Sequence, residues 1–311
     1  LIGEDLVKEF GPRVYCHDAE YPANLVYFGA TGEHGYDVKV NKAVVESDVT
    51  VYITSAYGRG FSGGWKSVCV GLSTFRSIRH HHTPDGMSMS TRDNRMHKVL
   101  DEMGAHLESK IGGTLFKIDA VEKEPFEKSH VFAGSTWECR KAALKILEQQ
   151  YPSRRALSDD KFDVILYGVP NWSPYAIFSH MNPILTLISS GLGYLGGTVQ
   201  ALGKPGCTVI MATPCPLRWD RARHPSYPDV WENVLSSERD PYEIEKRYTD
   251  RYATDERYIE LYRKHHAFHP VHGILATHPL KRLRHAGRVI VAGIEDPAVA
   301  RHLGFDAART V

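Results

Sequence analysis

Two hydrophobic periodicities alternate along the chain. "NLVYFG", "YDVKVN" and the β-branched run "DVTVYITSA" read as strands, and "GGTLFKIDAVE" returns to that pattern further on. "STRDNRMHKVLDEMGAHLESKI" places Met96, Val99, Leu100, Met103, Leu107 and Ile111 at three- and four-residue steps. That spacing predicts an amphipathic helix, with Ser90 or Thr91 available to cap its start. "LIGEDLVKEF", "SVCVGLSTFRSIRHHH" and "STWECRKAALKILEQQY" also read as helices. The polar stretch "YPSRRALSDDK" is turn-rich and predicts a domain boundary. Beyond it the pattern restarts with the buried-type strand "FDVILYGVP" and the glycine-broken apolar segment "NPILTLISSGLGYLGGTV". "CTVIMATPC" follows as a strand, then one long charged helix "PYEIEKRYTDRYATDERYIELYRKHH", then the strand "GRVIVAGI". Strand–helix alternation on both sides of the boundary predicts an α/β protein of two domains, 1–152 and 160–311, with mainly parallel sheets. No repeat of fixed period and no low-complexity tract interrupts this order.

Composition narrows the class of protein. A chain of 311 residues makes one large domain or two ordinary ones. Its net charge of +1 gives no bulk electrostatic case for nucleic acid or an anionic membrane. No apolar run reaches the roughly 18 to 20 residues of a membrane span. Cys16, Cys69, Cys139, Cys207 and Cys215 are dispersed and form no CxxC pair, which predicts reduced thiols and a cytoplasmic location. The start at Leu1 instead of methionine, and the end at "GFDAARTV", predict a piece of a longer protein with some active-site residues outside it.

The 17 histidines stand out. They cluster as His80, His81 and His82, and as His265, His266, His269 and His272 in "HHAFHPVHG". Histidine is the commonest metal ligand and transfers protons near neutral pH. Each member of the triple equally suits the C-terminal end of a helix, where the dipole favours it.

The second feature is "SAYGRGFSGGWKSV", Ser55 to Val68. As a P-loop it fails, because Trp65 separates Gly64 from Lys66. As a dinucleotide fingerprint, Gly58, Gly60 and Gly63 satisfy GxGxxG after a strand, and Gly191, Gly193 and Gly196 form a second match. The acidic residue expected about 20 positions further on is replaced by the histidine cluster. A plain strand-to-helix turn with a solvated lysine accounts for the glycines equally well. A site at the carboxyl end of a strand is nonetheless where open α/β sheets bind ligands, and a partly desolvated lysine there suits a phosphate contact or covalent attachment. His82 lies 16 residues after Lys66, roughly 24 Å along an unbroken helix, so spacing alone does not bring the two together.

"GFSGGWKSVCVGLSTFRSIRHHH" resembles the nickel-dependent lactate racemase family, whose loop reads approximately "PHxFAGFSGGxKSxxPGxxxxxTIxxxH". "NLVYFGATGEHGYDVKVNKAVVESDVTVYI" is similar to the family's preceding segment. "MNPILTLISSGLGYLGG", "GKPGCTVIMATPC" and "AFHPVHG" resemble the C-terminal domain of a longer subgroup. The resemblance implies two α/β domains with the active site in the cleft between them. It implies a nickel pincer nucleotide, of the pyridinium-3,5-bisthiocarboxylic acid mononucleotide type, anchored covalently through a lysine thioamide. The anchor falls on Lys66, the nickel ligand on His82, and the surrounding cofactor contacts on Ser62, Gly63 and Gly64. Soft donors with one imidazole are reasonable for nickel.

The implied reaction is racemisation or epimerisation of a 2-hydroxy acid, lactate-like or larger, by hydride removal and return. The implied partners are that small molecule and the cofactor-making enzymes, with self-association left open and neither nucleic acid nor membrane involved. One family catalytic histidine falls on Ala56, which cannot transfer a proton. Tyr57 or Arg59 beside it is the candidate to orient the substrate, and Tyr57 also suits plain packing. The family's DHxTRP motif and its other catalytic histidine are expected upstream of Leu1. Asn182, His269 and His272 are candidates to line the cleft, and each equally suits an interior or turn position. Two alternatives stand beside the racemase: an NAD-dependent oxidoreductase using a GxGxxG loop, and a homologue that binds its ligand without turnover.

Overall fold

The structure is a computed structural model, and it describes residues 3–56, 63–86, 95–124, 127–150, 161–189, 192–193, 197–264 and 267–309. Strands β1 (Leu25–Ala30) and β2 (Asp37–Asn41) form an antiparallel hairpin, and Val38 and Val40 of β2 are fully buried. β3 (Thr50–Ala56), β4 (Leu115–Glu124) and β5 (Glu127–Gly134) make a mixed sheet in which β3 runs parallel to β4 and β5 antiparallel to it. β5 was not anticipated, because "EKSHVFAG" carries too few apolar positions to read as a strand. In the second half, β6 (Phe162–Gly168), β7 (Gly203–Ala212), β8 (Arg288–Ala292) and β9 (Asp306–Ala308) form a fully parallel sheet in that order. The protein is thus α/β, with parallel pairing complete in the second half and mixed in the first.

The amphipathic helix forms as its spacing predicts, over Arg95–Ile111. It buries Met96, Val99, Leu100, Met103 and Leu107 against Val38, Val40, Tyr52, Trp65 and Leu115. Its expected caps, Ser90 and Thr91, lie outside the described residues, as does the expected domain boundary. The second half has its own core, in which Ile184, Leu185, Val209, Met211, Tyr227, Leu280 and Val289 meet.

Two expected helices are interrupted. The segment after the glycine loop forms two short helices, Lys66–Cys69 and Phe75–Ile78. Gly71 sits between them, where a Cβ would lie 2.6 Å from the Ser67 carbonyl oxygen, and Ser73 then bridges to Val40 of β2. The long charged helix likewise divides into Pro241–Ala253 and Glu256–Arg263. Asp255 ends the first course and starts the second, its carboxylate accepting from the Arg257 N–H at 3.1 Å. Both breaks are local hydrogen-bonding choices that a hydrophobic period does not register.

The two halves touch along the face that carries the histidine triple. Phe75 packs with Ala253, Val271 and Leu275. The Tyr242 hydroxyl donates to Asp85 at 2.6 Å, Arg79 pairs with Asp250 at 3.1 Å, and His269 pairs with Glu20 at 3.0 Å.

Candidate functional site

The glycine loop leaves β3 at Ala56 and re-enters the described residues at Gly63. Gly63 and Gly64 have φ of +85° and +59°, the left-handed region that glycine enters freely. They also leave room for a buried guanidinium, since a Cβ at Gly63 would lie 3.3 Å from Arg140 Nη1 and one at Gly64 3.3 Å from Arg140 Cδ. Trp65 follows, buried against the long helix. Its indole occupies the notch at Gly104, where a Cβ would sit 2.0 Å from Trp65 Cδ2. Loop and helix therefore interlock just before Lys66 opens the helix Lys66–Cys69.

Beneath the loop lies a set of buried charges. Lys117 on β4 is inaccessible to solvent and donates to the Gly64 carbonyl at 2.8 Å, which holds the loop from below. Its Nζ lies 3.6 Å from the equally inaccessible Asp119, which accepts from the Thr54 hydroxyl at 2.8 Å. Arg140 and Asp101 complete the set. Burial pushes the Asp101 carboxyl up to about 6, against the pull of Arg140. Burial and the charge on Arg140 bring the Lys66 amine down to about 7, so at neutral pH a large share of it is uncharged and nucleophilic.

The histidine triple divides its work. His80 accepts the Asp37 N–H at 3.0 Å and so belongs to the β2 hairpin. His81 is fully buried and its Nδ1 meets His82 Nδ1 at 2.8 Å. His82 is half-buried, with its N–H bonded to the Ile78 carbonyl at 2.8 Å. Burial and the nearby charge of Lys66 depress the His82 imidazole to about 4. The break at Gly71 folds the chain back, so that Lys66 acts electrostatically on both His81 and His82. Where His82 donates from Nδ1 to His81, its Nε2 keeps the lone pair that a metal needs.

The second half brings further imidazoles to this place. The charge of His82 contributes to holding His272 and His278 at about 3, with burial the main cause in both. His272 Nδ1 is 2.6 Å from the Tyr227 hydroxyl, and its ring packs 4.5 Å from Tyr175 and 5.3 Å from Phe268. Tyr175 and Phe268 also line a cavity of about 280 Å³ whose walls include Ile177, Phe178 and Arg223. His278 is buried, with no hydrogen-bond partner at either ring nitrogen.

Of the sequence candidates, Gly63, Gly64 and Lys66 form one turn, and His82 lies within electrostatic reach of Lys66. Tyr57, Arg59 and Ser62 lie outside the described residues. Ala56 is fully buried among Val121, Ala143 and Leu147. Asn182 caps the helix Pro183–Ser189 by accepting the Leu185 N–H at 2.9 Å, and His269 is engaged by Glu20. Lys117, Asp119, Arg140, Tyr227 and His278 were not singled out. Lys117 and Asp119 had one weak signal, charges one residue to either side of Ile118 in an otherwise strand-like run. The second GxGxxG run follows the helix Pro183–Ser189 and precedes the helix Gly197–Leu202, so it lacks the strand that a dinucleotide loop leaves.

Fold and site together define an α/β protein in which a half-neutral lysine on a glycine turn acts electrostatically on a histidine pair whose charging is suppressed by burial. Residues 1–95 match the lactate racemase N-terminal domain family. The lactate racemase of Lactiplantibacillus plantarum is 28% identical over 107 residues, covering 32% of this chain and 24% of that protein. The lactate racemase apoprotein of Thermoanaerobacterium thermosaccharolyticum superposes with a TM-score of 0.65 at 17% identity, over 99% of this chain and 66% of that one. A Thermotoga maritima protein superposes at 0.54, also at 17% identity, over 98% of this chain and 75% of its own. The chain thus spans about a quarter of the length of the curated relative and about two thirds of the first solved one. By sequence its first third is similar to the lactate racemase N-terminal domain family, and along its length it shares the fold of a solved lactate racemase apoprotein.

Proposed function

We propose that this chain is the cofactor-anchoring part of a racemase or epimerase acting at the Cα of a 2-hydroxy acid, lactate-like or larger. The observation that carries this reading is Lys66 at the head of the helix that the glycine turn opens, near enough to His82 to act on it electrostatically. Both fit a nickel pincer nucleotide. About half of the Lys66 amine is uncharged near neutral pH, which suits covalent attachment, and the His82 imidazole is neutral with Nδ1 engaged by His81. When bound, that group supplies the acceptance and return of the Cα hydride. The protein's part is positional. Lys117 holds the turn through the Gly64 carbonyl, Trp65 locks it to the long helix, and His81 orients His82.

The reading includes a two-domain chain that is cytoplasmic, with free and mostly buried thiols. Among the described residues, no helix is long and apolar enough to cross a membrane. Its partners are the hydroxy acid and the enzymes that make the cofactor. Full-length protein produced alongside those enzymes should carry a mass adduct that maps to Lys66, together with stoichiometric nickel. Lys66→Arg should lose the adduct. An unmodified Lys66 with no nickel overturns the reading.

Ala56 favours a second reading, a homologue that binds without turnover, because the position is closed by packing and offers no proton-transfer group. Exchange of the Cα hydrogen of any 2-hydroxy acid by the full-length protein decides against it.

A further inference from the structure

We propose that His272, held by the Tyr227 hydroxyl, takes and returns the hydroxyl proton of the substrate in place of a histidine at position 56. This rests on the 2-hydroxy-acid reading above and identifies a proton-transfer residue within it.

Among the described residues, Ala56 and the neighbouring histidines of the two clusters are closed or already engaged. Ala56 is sealed among Val121, Ala143 and Leu147. His80 is tied to the Asp37 N–H and His81 to His82. His269 is held by Glu20 at 3.0 Å. His278 is buried and has no group to orient it. His272 alone of this set combines an orienting partner with partial exposure, next to Val271, which packs against Phe75.

Its placement follows from the packing of its neighbours. Val271 and Leu275 lie against Phe75, whose helix leads directly into His81 and His82. Tyr227 is fully buried, so its hydroxyl has a fixed position, and Tyr175 and Phe268 fix the plane of the imidazole. A neutral His272 that donates Nδ1–H to the Tyr227 oxygen carries its lone pair on Nε2. The same bond persists when Nε2 is protonated, because Nδ1–H still donates. This is the arrangement of a general base oriented by a third group.

The step balances. The substrate O–H proton moves to His272 Nε2 as the Cα hydrogen leaves with its electron pair to a hydride acceptor, the bound cofactor of the reading above. The C–O bond becomes C=O, giving a 2-oxo acid. Return of hydride to either face of that carbon, and of the proton from Nε2 to oxygen, gives either enantiomer.

The test uses full-length, cofactor-loaded protein with DL-lactate and DL-3-phenyllactate as probes. His272→Gln should lower kcat by about 10²- to 10⁴-fold, with KM moved far less and the Lys66 adduct and nickel content unchanged. Imidazole added to His272→Ala should restore part of the rate, which a purely structural residue would not allow. Tyr227→Phe should give a smaller loss, about tenfold. In the cofactor-free chain, side-chain nitrogen NMR at pH 7 should find His272 neutral and protonated on Nδ1. Adducted His272→Gln within about threefold of wild-type kcat overturns the proposal and leaves the racemase reading intact, as does an Nε2–H tautomer in the resting protein. Wild-type protein without a Lys66 adduct takes down the reading, and the proposal with it.

Discussion

The two sides of this site solve the same problem in opposite ways. Beneath the glycine loop, Lys117, Asp119 and Arg140 are buried with the half-buried Asp101 as a charged set, with Lys117 and Asp119 3.6 Å apart. In the second half, His224 and His278 are buried and His272 is partly buried, all as neutral rings, with His224 and His272 packed among Tyr175, Tyr227 and Phe268. A buried ion must find a partner or give up its charge. The first side keeps its charges and pairs them, which fixes a loop that has to sit in one position. The second side discharges its imidazoles, which leaves nitrogens able to accept a proton or a ligand.

Acid should expose the contrast most strongly. Burial depresses His224 to about 4, and His272 and His278 to about 3. As pH falls below about 6.5 the unfolded chain takes up protons that the folded chain refuses, so this stability is complete above 6.5 and lost towards 3 to 4. Each imidazole contributes up to about 1.4 kcal/mol per pH unit in that window. Asp101 has the opposite sign, because a folded carboxyl raised to about 6 holds its proton where the unfolded one does not. The three imidazoles outweigh it. Urea unfolding should therefore show several kcal/mol lost between pH 7 and pH 4, and an unchanged midpoint would break the comparison.

Removing one charge from the first side comes next. Asp119→Ala leaves Lys117 buried without its counterion and should cost about 3–5 kcal/mol in denaturant unfolding. Pairing it with Lys117→Met should recover most of that loss, because the stranded ion is then gone. Gly104→Ala should cost about 1–3 kcal/mol, since the new methyl meets the indole of Trp65 and displaces the loop. Its signature is a shift in tryptophan emission along with the lower melting temperature. The smallest effect belongs to His278→Leu. Neither ring nitrogen has a partner to lose, so stability should stay within about 1 kcal/mol or rise. A large destabilisation there would mean that His278 is held by a bound water or ligand.

The strand–helix order was legible because each element presents one apolar face, and β3, β4, β6, β7 and β8 lie where the pattern placed them. β5 was not, because its burial is slight and its stability comes from pairing with β4. The glycine pair was legible as a turn, and its two positive φ values follow from the residue type. The buried Lys117–Asp119 pair was not legible, because on a strand such residues read as solvent-facing. Nor was the role of Tyr227, whose partner His272 lies 45 residues away.

The sequence by itself determined the α/β class, the turn at Gly63 and Gly64, and the presence of a lysine just after that turn and of a histidine cluster further on. Those properties are local, written in periodicity, residue type and short-range spacing. Tertiary structure decided that the charge of Lys66 reaches His82, because Gly71 and the Ser73 bridge interrupt a segment that its period would have run straight. It also decided that His224, His272 and His278 are kept neutral by burial while His80 and His269 are engaged by Asp37 and Glu20. An imidazole's charge depends on the low-dielectric surroundings and partners that distant segments bring to it, and no local pattern encodes those.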